Sequence, residues 1–151
     1  MNILVLHGPN MKFLGEREPE IYGSATLDEV NAVIRSHCRA QGAAVRIFQS
    51  DYEGGLIGFI YKNRRWADAM VINPAAYTHY SYALRDAIAA SALPTAEVHM
   101  SDIKKREPFR RKSVTAEVCL KMFRGQGVHS YTAAIDFMLK LKAVAKGRRT
   151  A

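Results

Sequence analysis

The chain has 151 residues, 48% of them hydrophobic, which is enough for one domain with a sizeable core and argues against two. A formal charge of +8 favours anionic partners without choosing among nucleic acid, lipid and small acids. Cys38 and Cys119 sit in apolar-periodic stretches without C-x-x-C or mixed Cys/His spacing, which argues against a disulfide scaffold or zinc site. The start Met1-Asn-Ile-Leu-Val-Leu6 lacks a basic n-region and is too short for a signal peptide, and no apolar run reaches membrane-spanning length. The expectation is a cytoplasmic protein.

Short apolar runs alternate with helical periods, the pattern of βαβ units. In chain order, Asn2 to Leu6 reads as a first strand. Thr26-Leu-Asp-Glu29 is a capping box that opens a helix with Leu27, Val30, Ile34 and Cys38 on one face and Gly42 as its stop. A strand follows over Ala44 to Gln49. Ser50-Asp-Tyr-Glu53 reads as a second capping box, opening a helix that turns Leu56, Ile57 and Ile60 inward. Strands at Ala69 to Ile72, Thr95 to His99 and Val118 to Phe123 enclose a helix from Ser81 to Ala92. A last helix carries Tyr131, Ile135, Met138 and Leu141. The predicted fold is one α/β domain over residues 1–151, an open five-stranded sheet with a basic C-terminal end from Lys140 that is expected to fray.

Open parallel sheets bind ligands beyond the carboxyl ends of their strands. Residues 7 to 25 after the first strand are too long and too rich in Gly, Pro and charge for a plain connection, and read as a lid. They hold no G-x-G-x-x-G or G-x-x-x-x-G-K-[ST], and His7-Gly-Pro-Asn10-Met-Lys-Phe-Leu-Gly15 is a poor phosphate cradle, so nucleotide and flavin readings lose support. The lid does place Arg17 five residues before Tyr22. A free tyrosine with a pKa of about 10 is only about a thousandth ionised at neutral pH. Lowering it by about two units needs about 2.7 kcal/mol, within reach of one close guanidinium. A surface arginine beside a half-buried loop tyrosine is the competing reading.

After the third strand, Asn73, Thr78 and His79 and the following helix start offer groups that bind hydroxyls and a carboxylate, although His79 alone reads more readily as a core or capping histidine. Asp86, on that helix, reads by itself as a solvated charge. After the fourth strand, His99 is placed to act as a general acid, with backbone N–H groups just beyond it. Lys104 to Lys112 carries six cations against one anion, suited to an acidic ligand, to nucleic acid or to solvent alone. No Ser or Cys has a matched base, and the three loops together fit proton abstraction beside a carbonyl followed by loss of water.

Three ordered stretches, His7-Gly-Pro-Asn10 through Leu14-Gly15-Glu16-Arg17-Glu18-Pro19 to Tyr22-Gly23, then Asn73-Pro74 to Ala83-Leu84-Arg85-Asp86, then Glu97-Val98-His99 to Arg110, resemble the type II 3-dehydroquinate dehydratases across nearly the whole chain. That resemblance implies a flavodoxin-like three-layer fold and a lyase acting on 3-dehydroquinate in the shikimate or quinate pathway, without metal, cofactor or Schiff base. It implies Tyr22 as the base beside the C3 carbonyl, Arg17 holding it as phenolate, Asn10 holding a water at the enolate, and His99 protonating the departing C1 hydroxyl. It further implies that Asn73 and the backbone N–H groups of Met100 and Ser101 hold the carboxylate and ring hydroxyls, with His79 and Arg110 fixing the remaining hydroxyls. Asp86 would serve a neighbouring subunit in a trimer-based homo-oligomer, by expectation a dodecamer.

The chain departs from the family pattern at His7, usually Asn, at Met11-Lys12, usually Leu-Asn, and at Lys104-Lys105, often His-Ala. Ala75 stands where Gly is common, Tyr80 where a small hydroxyl residue is common, and Asp102 where Asn is usual. Asp102 threatens substrate affinity unless it pairs with Lys104 or Arg106. A polyanion-binding protein would use the same positive charge, but Phe109 is the only aromatic in its basic run, so no nucleic-acid partner is expected. A paralogue that has lost the chemistry is opposed by intact Arg17, Tyr22, His79, His99 and Arg110.

Overall fold

A computed structural model describes residues 1–16 and 24–147, with side chains through Val144. Its elements run β1 (Asn2–His7), α1 (Leu27–Ala40), β2 (Ala44–Gln49), α2 (Glu53–Asn63), β3 (Ala69–Asn73), α3 (Tyr82–Ser91), β4 (Thr95–His99), β5 (Lys121–Arg124) and α4 (His129–Gly147). The five strands are parallel in the order β2-β1-β3-β4-β5, the flavodoxin-like arrangement expected. The chain moves outward from β1 to β2 and then returns to the other side of β1 as β3. Their exits therefore diverge and leave a crevice at the strands' carboxyl ends.

Period-two alternation builds both layers. Ile3, Val5, Ala69, Val71, Ala96 and Val98 face Val30, Ile34 and Cys38 of α1 and Ala134, Ile135 and Met138 of α4. Leu4, Leu6, Met70 and Ile72 face Leu56 and Ile60 of α2 and Leu84, Ala87 and Ile88 of α3. Followed to the strand ends, the same alternation puts His7 and Asn73 on the α1/α4 face, and Glu97 and His99 on the α2/α3 face.

The Thr26 capping box forms as read: Thr26 Oγ1 accepts the Glu29 N–H at 3.2 Å, and Glu29 Oε2 accepts the Thr26 N–H at 2.8 Å. The box expected at Ser50 does not form. Ser50 Oγ closes a turn on Tyr52, and α2 begins at Glu53 without a side-chain cap. The Glu53 carboxylate instead accepts the hydroxyl of Ser81, the residue that caps α3 through the Leu84 N–H. Strands β1 and β3 each run one residue further than expected, to His7 and Asn73. The fifth strand starts at Lys121, because Ala116–Val118 is a 3-10 turn held by Ser113 Oγ on the Ala116 N–H. In α4 the expected inward face holds for Tyr131, Ile135 and Met138, whereas Leu141 is exposed. The basic end does not fray at Lys140: it is helical through Gly147, and Lys142 pairs with Asp68 at 2.7 Å. No helix among the described residues is long and apolar enough to cross a membrane.

The chain leaves β1 pressed against the exit of β3. The Gly8 N–H donates to Asn73 O at 2.8 Å, and a Cβ on Gly8 would stand 2.3 Å from Pro74 O, inside backbone rather than against a movable side chain. Gly8→Ala is expected to cost about 2–3 kcal/mol, the scale of overpacking, and to lower the thermal midpoint by roughly 5–10 °C. An unchanged melting curve would show that these two exits are not in rigid contact.

Candidate active site

A cleft partly open to solvent lies at the carboxyl ends of β1, β3 and β4. Asn10, Asn73, His79, His99, Met100, Ser101 and Arg110 all line it, so seven of the residues singled out in the sequence converge in space. Arg17 and Tyr22 lie outside the described residues. Asp86 does not reach the cleft. Its side chain is 72% exposed on α3 and pairs with Arg85 at 3.2 Å, a surface position in this one chain.

Asn10 ends the β1 exit in a left-handed conformation, φ 65°, which asparagine tolerates well. Its N–H is held by Asp51 Oδ1 at 2.9 Å, while Asp51 Oδ2 pairs with Lys12 at 2.5 Å. The Lys12 N–H bond, the backbone bond from Asn10 and the Gln49 bond outweigh desolvation and keep the Asp51 carboxyl below its ordinary range. Ala75, where the resembled family commonly has glycine, also has positive φ, 51°, which explains the preference for a residue without Cβ there.

Glu97 and His99 lie two apart on β4 and so share a face. His99 Nε2 donates to Glu97 Oε1 at 2.7 Å, and Thr78, Ser113 and Thr115 hydroxyls donate to the same carboxylate at 2.7, 2.9 and 2.5 Å. Burial pushes the Glu97 carboxyl up, but the His99 bond and charge, with the threonine bonds, more than offset it and hold Glu97 below the usual range. Among the described residues His99 Nδ1 has no partner, so the ring presents one engaged nitrogen to Glu97 and the other to the cleft. Glu97 had a place in a sequence motif but no role there; an acidic residue two positions before a histidine in a buried strand was the available signal.

His79 Nδ1 donates to Lys112 O at 2.7 Å, which leaves Nε2 as the acceptor of the neutral ring. Burial lowers its pKa; the Lys112 bond and Glu97 oppose this, while the charges of His99 and Arg110 reinforce it. Arg110 carries a buried Nε with no hydrogen bond, 3.5 Å from the Glu107 carboxylate and outside bonding geometry. The backbone N–H groups of Met100 and Ser101 have no acceptor among the described residues. Arg106, considered in the sequence only as a possible partner of Asp102, lines the cleft with Arg110, and no carboxylate lines it among the described residues. Asp102 pairs neither with the Lys104 ammonium nor with Arg106. Its Oδ1 accepts Arg124 Nη1 at 2.7 Å and the Lys104 backbone N–H at 3.1 Å, turned away from the cleft lining.

Behind the cleft, Asn73 Nδ2 donates to the Tyr131 hydroxyl at 3.0 Å, and Tyr131 meets His7 Nδ1 at 2.8 Å. His7 Nε2 meets Asn31 Oδ1 at 2.9 Å.

Such a cleft, at the switch point of an open parallel sheet and lined by cations, unpaired N–H groups and two histidines, defines a binding site for a small hydroxylated acid with acid–base chemistry at hand. The family model described as Dehydroquinase class II matches residues 1–139. A 3-dehydroquinate dehydratase of Roseiflexus castenholzii is 46% identical over 99% of this chain and 95% of its own. Another from Clostridium botulinum is 46% identical over 96% of this chain and 99% of its own. The crystal structure of a type II dehydroquinase from Butyrivibrio crossotus superposes with a TM-score of 0.90 at 44% identity, covering 91% of this chain and 97% of that one. The chain belongs to the class II dehydroquinase family, enzymes of the hydro-lyase class.

His7 gives this architecture a pH limit. Burial, partly offset by the Asn31 bond and aided by Arg35, takes its imidazole from 6.5 down to about 4. Between those values the unfolded chain binds a proton that the folded chain refuses, so stability is complete above pH 6.5 and falls as pH drops toward 4. The loss from this group is about 3 kcal/mol across the window. Urea unfolding at stepped pH should show that slope, and His7→Asn, with nothing to titrate there, should flatten it. Equal slopes in both proteins would place the acid sensitivity elsewhere.

Proposed function

We propose that the cleft converts 3-dehydroquinate to 3-dehydroshikimate and water, with Tyr22 as base and His99 as acid. The observation that carries this reading is His99 between a buried carboxylate and an open cleft: Glu97 engages Nε2, and Nδ1 is left to exchange a proton with a ligand. Tyr22, held as phenolate by Arg17, removes the C2 proton beside the C3 carbonyl, and the electron pair is held as an enolate. Asn10 keeps a water at the enolate oxygen. When the enolate collapses, the C1–O bond breaks, the C1=C2 double bond forms, and the proton on His99 leaves with the hydroxyl as water. Glu97 balances the imidazolium charge until that transfer.

The binding groups suit the substrate's other end. Its carboxylate meets the Met100 and Ser101 N–H groups and Asn73, while the neutral His79 accepts a ring hydroxyl proton and the unspent Arg110 donors meet another. A carbonyl beside an acidic C–H allows elimination through the enolate with no Schiff base. Asp86, exposed on α3, is assigned to the cleft of a neighbouring copy in a trimer-based assembly.

A coupled test follows the ultraviolet rise of the conjugated enone from 3-dehydroquinate in chelator, with and without borohydride. Turnover should survive both treatments and fall at least about a thousandfold in Tyr22→Phe. A fully active Tyr22→Phe would remove the tyrosine base from the mechanism. Asp102→Asn should leave KM within about twofold, because Arg124 already neutralises that carboxylate away from the cleft. A clearly lower KM in this variant would show that the Asp102 charge reaches the substrate after all.

A further inference from the structure

His7 has no part in the chemistry above, yet it is wholly buried and both its ring nitrogens are engaged. The direction of each bond follows from the Ala75 backbone N–H, which can only donate: it takes Asn73 Oδ1 as its acceptor at 3.1 Å and so turns Asn73 Nδ2, a donor, toward the Tyr131 hydroxyl at 3.0 Å. Tyr131 therefore gives its own hydroxyl proton to His7 Nδ1. The neutral ring then carries its proton on Nε2, which donates to Asn31 Oδ1. The relay therefore runs one way, Asn73 to Tyr131 to His7 to Asn31, across β3, α4, β1 and α1.

We infer that His7 is a positioning residue which, acting through Tyr131, fixes the Asn73 amide with its second Nδ2 hydrogen directed at an oxygen of the substrate. Among the described residues that hydrogen meets only the Met11 thioether, 3.7 Å away, a weak acceptor that a carboxylate or hydroxyl oxygen displaces. The reversed amide would set Oδ1 against the Tyr131 oxygen, whose proton is already given to His7, and Nδ2 against the Ala75 N–H. Both contacts would be repulsive. Burial supports the arrangement, since a ring held neutral keeps Nδ1 an acceptor; Arg35 on α1 disfavours its protonation further, and the strand neighbours Gln49 and Asn73 carry no charge. The inference rests on the reading that this cleft takes 3-dehydroquinate, because only a ligand oxygen gives the fixed amide a task.

Three variants separate positioning from packing. Tyr131→Phe removes one oxygen, His7→Leu removes the acceptor, and His7→Asn keeps an acceptor oxygen near the Nδ1 position. Tyr131→Phe and His7→Leu should raise KM for 3-dehydroquinate about tenfold with kcat within about twofold, His7→Asn should stay within about threefold, and the double variant His7→Leu/Tyr131→Phe should be no worse than either single. Nitrogen-15 spectra of the ligand-free protein should show His7 protonated at Nε2, and solvent-protected Asn73 side-chain N–H signals that lose protection in His7→Leu and Tyr131→Phe but keep it in His7→Asn. If His7→Leu fails to fold, Tyr131→Phe carries the test. Unaltered Asn73 signals, or an unaltered KM in folded Tyr131→Phe, would overturn the inference. Absence of turnover by the unmodified protein would instead sink the substrate reading, and the Asn73 signals would still decide the relay.

Discussion

Glu97 is the one carboxylate among the described residues with no solvent contact, and the active face is arranged around keeping it ionised. Glu97 is bonded by His99 from its own strand, by Thr78 from the turn after β3, and by Ser113 and Thr115 from the segment leading to β5. Removing any of these would leave an under-satisfied charge in the interior, which costs far more than an ordinary hydrogen bond. The demand of one side chain thus ties two stretches of chain to the end of β4 and sets the imidazole plane of His99.

The turn after β3 is where this constraint meets the opposite face of the sheet. Asn73 looks toward α4 and reaches Tyr131, whereas five residues later Thr78 looks the other way and reaches Glu97. Between them Ala75 takes its positive φ and receives the Asn73 side chain on its N–H. His79 then turns its second nitrogen back into the cleft, anchored by the Lys112 carbonyl. A short irregular segment can hold such exact placement because both of its ends are bonded into buried networks rather than into solvent.

Most of the scaffold was legible because it rests on periodicity: alternation gave the two faces of β1, β3 and β4, and Thr26 with Glu29 gave the start of α1. What was not legible rests on tertiary competition for single groups. Ser50 and Glu53 have capping-box spacing, but Glu53 is drawn to Ser81, 28 positions away. Val118 looks like strand, but Ser113 pulls its neighbourhood into a 3-10 turn as part of the Glu97 network. Seven residues that line the cleft were picked out from loop position and resemblance, while Glu97, Tyr131 and His7 were given no role there, because buried polar residues that serve other polar residues look like core in one dimension. The partner of Asp102 was missed for the same reason: Arg124 lies 22 positions on and is brought close only by pairing of β4 with β5.

Under the proposed mechanism, the alternation of β3 and β4 also divides ligand binding from proton transfer between two layers. Asn73 is supported from the α1/α4 layer and His99 from the segments on the opposite layer, the two joined through the sheet backbone and the turn after β3 that carries Thr78. In the proposed roles, drift in the packing of α1 and α4 is transmitted to the binding group Asn73, and drift around Thr78, Ser113 and Thr115 to the acid His99. A lineage of such enzymes can therefore adjust affinity to its metabolite pool and turnover to its flux by largely separate sets of substitutions, one on each side of the same sheet.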